Sequence, residues 1–143
     1  MSIDAALERY FDAWNSHEPE RVAAALTDGG TYEDPTTGGP LSGDALTASV
    51  AGVLAGFPDV HFEVDSVATN GDTASAQWRM LGTNTGPLLT PAGSVPPTGR
   101  PVIFTELRID RFEQGRIVES WFLPDRLTLW QQLGLVPTPG AKD

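Results

Sequence analysis

The sequence contains no cysteine, and only two of its 143 residues, His17 and His61, are histidines. The first absence excludes disulfides, thiolate nucleophiles and metal sites with cysteine ligands. The second argues against a histidine-rich metal site. Any catalytic chemistry must therefore use carboxylates, hydroxyls, amides or arginine, and we expect no metal centre.

Basic residues and long apolar runs are also scarce. There are 9 Lys and Arg against 19 Asp and Glu, and the net charge is −10. The basic residues are scattered singly, which does not suit a phosphate-binding groove, and anionic membrane surfaces repel an acidic protein. No apolar run approaches the roughly 18 residues of a membrane span, and residues 1–14 lack the pattern of a secretory signal. We expect a cytoplasmic protein that binds neither nucleic acid nor membrane.

Helical periodicity marks the first part of the chain, which at this length we interpret as one domain over residues 1–143. Apolar residues recur at spacings of three and four from Ile3 to Trp14, which is typical of an amphipathic helix. Helices are predicted over residues 3–16, from Pro19 until Gly29 and Gly30, and from the candidate cap Ser42 to Gly56.

From residue 60 the apolar period changes to two, which predicts strands. Asn70-Gly71 marks a hairpin, a third long strand covers residues 101–112, and RIVESWFL precedes a short closing helix. Residues 83–99 hold four prolines and three glycines, so they form either a flap over a cavity or a surface loop. Helices grouped before antiparallel strands predict an α+β fold, and a curved sheet around helices leaves a cone-shaped cavity.

Several stretches carry a resemblance to a known family: YEDPTTGGPLSG, FPDVHFEV, NGDTASAQWRMLGTNTG, PPTGRPV and DRFEQGRIVESWFLPDRLTLWQQLGL. Between Leu7 and Pro137 the chain resembles SnoaL-like polyketide cyclases of the nuclear-transport-factor-2-like superfamily. The resemblance implies a cone-shaped α+β fold with three N-terminal helices packed on a curved, mostly antiparallel sheet. It also implies a homodimer, commonly formed through the open face of the sheet.

The resemblance further implies a cofactor-independent intramolecular aldol condensation of an apolar, carbonyl-rich substrate. Such cyclases use one aspartate at the end of the last strand as general acid/base, and the matching residue is Asp125. Its apolar sequence neighbours, among them Trp121 and Leu127, predict a partly desolvated carboxyl with a raised pKa. The alternative is that Asp125 is a first-turn or N-cap acid of the helix LTLWQQL.

The chain departs from the family on the adjoining strand, VIFTELRIDRF, which lacks the histidine that other members place near the acid. Glu106 and Arg108 share a strand face with Phe104 and are candidates for this role and for substrate binding. Solvent-facing charges are the alternative interpretation of both. Trp121 is a candidate aromatic wall for a planar substrate, or a core residue.

Limonene-type epoxide hydrolases also resemble the chain, and they use two aspartates, an arginine and a water-binding pair. Tyr32 and Asp34 match the water-binding pair, Arg79 matches the arginine and Asp125 matches one acid, but Leu81 replaces the other. Hydrolysis is therefore the second hypothesis, and a non-catalytic small-molecule-binding module is the third. Tyr32, Asp34 and Arg79 remain candidate substrate-binding residues, with a core residue, a turn former and a solvated charge as the respective alternatives.

Overall fold

The computed structural model describes residues 2–90, 92–137 and 140. Its helices are α1 (Ile3–Asn15), α2 (Pro19–Ala24), α3 (Gly43–Gly56) and α4 (Arg126–Gln132). Its strands are β1 (Leu26–Glu33), β2 (His61–Asn70), β3 (Thr73–Thr83), β4 (Leu88–Thr90), β5 (Gly93–Val95), β6 (Pro101–Glu113) and β7 (Arg116–Pro124). None of the described helices combines the length and the apolar character that a membrane span needs. The cytoplasmic location stays a prediction.

Five strands form one sheet in the order β1-β7-β6-β3-β2, and β4 and β5 form a separate small hairpin. Strand β1 is parallel to β7, and every other neighbouring pair in the sheet is antiparallel. At the predicted hairpin, Asn70 pairs with Thr73 and Gly71 adopts a φ of 62°, which favours glycine. The predicted α+β fold with a mostly antiparallel sheet is confirmed.

The second helix is shorter than predicted, because residues 26–33 pair with β7 instead of continuing the helix. Leu26 lies opposite Ile117 and Thr31 lies opposite Glu119. A Cβ atom at Gly30 would lie 2.9 Å from the carbonyl oxygen of Ile117. Gly30 therefore marks a close approach of two backbones. The sequence interpretation of this glycine as a helix end was wrong.

The helices cover one face of the sheet, which we call the inner face. Tyr10 and Trp14 of α1 are buried there beside Trp78 of β3 and Phe62 of β2. The opposite, outer face carries large apolar side chains that are exposed in the monomer, five of which lie on β6 and β7: Ile103, Leu107, Ile109, Trp121 and Leu123. The inner face alone therefore contributes to the core.

The segment between β3 and β6 is held by one buried asparagine. The Nδ2 atom of Asn84 donates to the carbonyl oxygen of Gly56 at 3.0 Å, and its Oδ1 accepts from the backbone and hydroxyl of Thr98 at 2.9 Å. These bonds fasten both ends of the segment to the end of α3. They place Leu88 and Leu89 beside the cavity described next.

Candidate active site

A cavity of about 240 Å³ lies between the inner face of the sheet, the helices and the β4–β5 hairpin. Its walls are mostly aromatic and aliphatic, with Trp14, Phe62, Phe104, Phe122 and Trp130 among them. Five charged or phenolic side chains also reach the walls: Tyr32, Asp34, Glu106, Arg108 and Arg126. An apolar cavity with a few convergent polar groups is typical of a small-molecule site.

Arg108 lies at the base of this arrangement and is only 2 % exposed. Its Nη2 atom donates to the hydroxyl oxygens of Tyr10 and Ser120, at 2.8 Å and 3.0 Å. The guanidinium carbon lies 4.5 Å from the ring centroid of Trp78 and 5.0 Å from that of Phe122, which are cation–π distances. Burial alone lowers the pKa of Arg108, but the acidic groups around it raise the pKa above its usual value. Arg108 is therefore a fixed, permanently charged cation.

Two carboxyl groups flank Arg108 on the same strand. Oε1 of Glu106 lies 3.4 Å from Nη1, and Oδ2 of Asp110 lies 3.9 Å from Nε. Glu106 reaches the cavity wall, whereas Asp110 does not. Burial raises the pKa of the Glu106 carboxyl, and Arg108 opposes this rise in part. Burial also raises the pKa of Asp110, again against Arg108.

A second ion pair joins Asp34, which follows β1, to Arg126, the first residue of α4. The Nη2 atom of Arg126 donates to Oδ2 of Asp34 at 3.0 Å, and Oδ1 of Asp34 accepts from the hydroxyl of Thr36 at 2.6 Å. Tyr32 packs its ring on Phe122 at a centroid distance of 4.5 Å, and burial raises the pKa of its phenol well above the usual value. Tyr32 is therefore a neutral hydroxyl near neutral pH.

The model of the SnoaL-like polyketide cyclase family matches residues 4–133. The chain belongs to this family. The family assignment made from the sequence motifs is therefore confirmed. Among curated proteins, no sequence match to this SnoaL-like chain was found.

Solved structures agree with the fold of the SnoaL-like chain. IdmH from Streptomyces antibioticus, a proposed polyketide cyclase, is 27% identical, with a TM-score of 0.79 over 94% of this chain and 99% of IdmH. AclR from Streptomyces galilaeus, a proposed hydroxylase, is 23% identical, with a TM-score of 0.82 over 95% of this chain and 87% of AclR. A Catenulispora acidiphila protein with a ketosteroid isomerase-like fold, in complex with trimethylamine, is 18% identical, with a TM-score of 0.76 over 94% of this chain and 97% of its own.

Four of the predicted substrate-binding residues of the SnoaL-like chain meet at the cavity: Tyr32, Asp34, Glu106 and Arg108. The interpretation of Glu106 and Arg108 as solvent-facing charges is wrong, because both are buried on the inner face beside Phe104. Tyr32 is a core residue and a cavity residue at once. Asp34 also forms the predicted turn, since its Oδ1 accepts from the backbone N–H of Thr36.

The predicted surroundings of Asp125 are wrong. Asp125 is exposed at the start of α4, where Oδ1 accepts from the backbone N–H of Thr128 at 3.1 Å and Oδ2 from its hydroxyl at 2.7 Å. These bonds hold the pKa of Asp125 below its usual value. The apolar sequence neighbours Trp121, Leu123 and Leu127 are themselves exposed, so they do not desolvate it. Of the two interpretations of Asp125, the geometry is that of the N-cap.

Arg79 and Trp121 lie outside the cavity, contrary to their assignment as substrate-binding residues. Arg79 points to the outer face, where Nη2 donates to Glu63 at 2.7 Å and Nε donates to Asp65 at 2.9 Å. Trp121 is 39 % exposed on the same face. Both have odd numbers in stretches whose even-numbered residues point inward, residues 74–80 of β3 and 120–124 of β7, and successive side chains of a strand alternate between faces.

Asp110 and Arg126 were missed as members of the charged groups around the cavity. The sequence VIFTELRIDRF contains a signal for Asp110. Asp110 belongs to a series of alternate residues that begins at Phe104 and ends at Phe112. Two aromatic residues at the ends of the series indicate that the whole even-numbered series faces the core. No comparable sequence signal marks Arg126. Within the described part of the chain, no three histidine, aspartate or glutamate side chains are grouped to hold a metal ion.

Proposed function

We propose that this SnoaL-like chain is a cofactor-independent enzyme that closes a ring by intramolecular aldol condensation. Glu106 acts as the general acid/base, and Arg108 donates to the substrate oxygen that becomes negatively charged. One observation supports this assignment most strongly. A carboxyl and a guanidinium lie within 3.4 Å of each other, both are buried, and both line the same apolar cavity.

The reaction begins when the Glu106 carboxylate removes a proton from a carbon next to a substrate carbonyl. The electron pair of that C–H bond forms an enolate, whose oxygen accepts a hydrogen bond from Arg108. The enolate carbon then attacks a second carbonyl carbon of the same molecule, and a C–C bond forms. The alkoxide produced takes the proton back from Glu106, which restores the carboxylate. Acid/base assistance contributes roughly 10²- to 10⁴-fold, and the cavity holds both reacting carbons in one molecule.

The environment of Glu106 suits this work better than that of Asp125. A general acid/base is most effective when its pKa lies near the working pH. Burial moves the pKa of Glu106 upward, toward neutrality, whereas hydrogen bonds from Thr128 move the pKa of Asp125 downward. Asp125 is also capped onto α4, away from the cavity wall. We therefore transfer the acid/base role from Asp125 to Glu106.

The size of the cavity narrows the substrate class. An apolar cavity of about 150 Å³ accommodates a benzene ring, and the cavity here measures about 240 Å³. This volume fits a substrate whose buried part is one or two rings in size. Flat walls from Trp14, Phe62 and Phe122 suit an aromatic or conjugated ring system. We propose an apolar, carbonyl-bearing substrate of this size.

Proton abstraction can be measured without the natural substrate. β-Tetralone is a bicyclic ketone whose α-protons exchange with deuterium when a base forms the enolate. Its exchange in D₂O, followed by proton NMR, should be accelerated by the wild-type protein. The Glu106→Gln variant should lose roughly 10²-fold or more of this acceleration, while the matched Asp125→Asn variant keeps it. Full exchange activity in Glu106→Gln would reject Glu106 as the acid/base.

Epoxide hydrolysis remains the second candidate, because Arg108 lies between two carboxyl groups, Glu106 and Asp110. Arg79 also contacts two carboxyl groups, those of Glu63 and Asp65, but it lies outside the cavity, whereas Arg108 lines it. Hydrolysis ranks second because only Glu106 of the two carboxyls beside Arg108 reaches the cavity. Incubation of candidate epoxides in ¹⁸O water separates the reactions, since hydrolysis labels a diol and ring closure leaves the carbon skeleton unlabelled. A non-catalytic binder would instead hold β-tetralone without accelerating its exchange.

We also propose that two copies of the chain associate through the outer face. The exposed apolar residues of β6 and β7 form the centre of this face, and they include Leu107 and Leu123. Contiguous exposed apolar surface of this kind marks interaction sites. Sedimentation analysis at micromolar concentration should show a dimer, and a monomer across that range would contradict the proposal.

A further inference from the structure

Glu106, Arg108 and Asp110 occupy three successive inward positions of β6, with exposures of only 6 %, 2 % and 0 %. One cation therefore lies between two acids, and all three side chains are almost completely buried. The two acids are not equivalent. Glu106 contacts Nη1 and reaches the cavity, whereas Asp110 faces Nε on the side away from it.

Asp110 has unusually few partners for a buried carboxyl. Neither of its oxygens makes a hydrogen bond of normal geometry, and the same holds for Nε of Arg108, which lies 3.9 Å from Oδ2. The hydroxyl of the adjacent Ser120 is close enough to lower the pKa of Asp110. Its cross-strand neighbours are Ala74 and Ser120. Among the described residues, Arg108 is the one cation within ion-pair distance of Asp110. A buried carboxylate needs a compensating charge, and Arg108 is therefore its compensating cation.

The two carboxyls must consequently share the charge of Arg108. A lone carboxylate beside a buried arginine is held strongly in its ionised form, because the opposite charge lowers its pKa. A second carboxylate on the same arginine repels the first and weakens this effect. The protonation of Glu106 is therefore expected to depend on Asp110, which does not line the cavity.

We propose that Asp110 is a positioning residue for the acid/base Glu106. Asp110 partly neutralises the charge of Arg108 on the side away from the cavity. Glu106 is therefore protonated more readily than a glutamate that is paired with an arginine alone. The catalytic meaning of this inference rests on the proposed function. The electrostatic coupling of Asp110 to Glu106 does not, and it can be measured without any substrate.

Other groups also face these two carboxyls and must stay unchanged in the test. Tyr32 and Asp34 from β1 and its end, together with Arg126 from α4, share the cavity wall with Glu106. Tyr10 from α1 and Ser120 from β7 contact Arg108 beside Asp110. Ser120→Ala is the control for losing a polar contact without losing a charge, since it removes the hydroxyl that contacts Arg108 and Tyr10 and that lowers the pKa of Asp110.

The test is a ¹³C NMR titration of the Glu106 side-chain carboxyl in glutamate-labelled protein, with the signal assigned by its loss in Glu106→Gln. Asp110→Asn removes a carboxylate while keeping the side-chain shape. The titration midpoint of Glu106 should fall in Asp110→Asn, because a negative charge that shares Arg108 with Glu106 is removed. In Ser120→Ala the midpoint should move by much less. The acidic limb of the β-tetralone exchange profile should shift with the midpoint.

Three results would overturn the inference. These are an unchanged or raised midpoint in Asp110→Asn, equal shifts in Asp110→Asn and Ser120→Ala, and a protonated Asp110 carboxyl in wild-type protein at neutral pH. The last is read from aspartate-labelled wild-type protein, so it needs no variant to fold. If the midpoint shifts as expected but no protein accelerates exchange, the coupling stands and the proposed function fails.

Discussion

In the middle of β6, the two faces of the central sheet differ in a way that reverses the usual pattern of a half-buried strand. On β6 the inward positions hold charged residues such as Glu106 and Arg108, and the outward positions hold apolar residues such as Leu107 and Ile109. Buried charge is costly, and exposed apolar surface is unfavourable unless a partner covers it. The difference agrees with the two proposals made above, a catalytic site on the inner face and a dimer interface on the outer face.

The largest expected effect is on the free energy of unfolding, and it distinguishes Arg108 on the inner face from Arg79 on the outer face. Arg108→Met leaves two buried carboxyls without their cation, and removing one partner of a buried ion pair costs about 3–5 kcal/mol. Arg79→Met removes an arginine whose ion pairs are exposed on the outer face; exposed pairs contribute little. Urea unfolding at pH 7 should show a large loss of stability for Arg108→Met and a small one for Arg79→Met. Equal losses would contradict the difference between the faces.

The pH dependence of Arg108→Met sharpens this comparison. Burial already raises the folded-state pKa of Glu106 and Asp110, and loss of the cation raises it further. A raised folded-state pKa makes folding most favourable below the unfolded-state pKa, and this contribution is lost as pH rises through the folded-state pKa. The free energy of unfolding of this variant should therefore recover as the pH falls from 7 toward 4. A deficit that does not depend on pH would indicate a packing defect instead.

On the outer face, Leu107→Lys should weaken the proposed dimer. Leu107 is 51 % exposed in the single chain, so the substitution should change monomer stability by less than about 0.5 kcal/mol. A charge placed at the centre of an apolar interface should raise the concentration at which half of the chains are dimeric roughly tenfold or more, as measured by sedimentation. Glu113→Lys makes a similar exposed change at the end of β6 and serves as the control. An unshifted dimer in Leu107→Lys would place the interface elsewhere.

A smaller effect is expected at Asp125, which acts as a helix cap. Asp125→Ala should cost about 1 kcal/mol of stability, and Asp125→Asn less, because asparagine also caps helices. Hydrogen bonds hold the pKa of Asp125 low, so its contribution is present above its unfolded-state pKa and is lost as pH falls through the folded-state value. Thermal unfolding between pH 3 and pH 7 measures this dependence. A large loss of exchange activity in either variant would return the catalytic role to Asp125.

The smallest expected effect is at the cavity rim. Leu89 is 67 % exposed and lines the cavity, and its Cδ1 lies 3.3 Å from the position of a Cβ at Gly52. Leu89→Ala should weaken β-tetralone binding roughly fourfold, which corresponds to the free energy of burying about one methylene group. It should leave the melting temperature almost unchanged. Isothermal titration with the ligand measures the affinity, and unchanged binding would exclude the hairpin from the site.

Much of the fold was predictable because it depends on local patterns. Helical spacing located α1 and α3, and the change of period located the long strands. The boundary between α2 and β1 was not predictable, because the parallel pairing with β7 overrides the helix-forming sequence before Gly30. Propensity is a weak guide wherever a distant strand competes for the same segment.

The lining of the cavity was predicted in part. Tyr32, Asp34, Glu106 and Arg108 line it, and their substrate-binding roles stay predictions, but Asp125 was given the surroundings of its sequence neighbours. Those neighbours alternate between two faces, and among residues 121–124 only Phe122 and Pro124 are buried. A one-residue step along a strand therefore decides between a desolvated acid and an exposed cap.

The most direct test of the account is the pH profile of wild-type-catalysed α-proton exchange in β-tetralone. If Glu106 is the base, exchange should reach half its maximum at a pH above the ordinary pKa of glutamate, and the profile should vanish in Glu106→Gln. A midpoint below the ordinary pKa of aspartate, retained in Glu106→Gln and lost in Asp125→Asn, would contradict it.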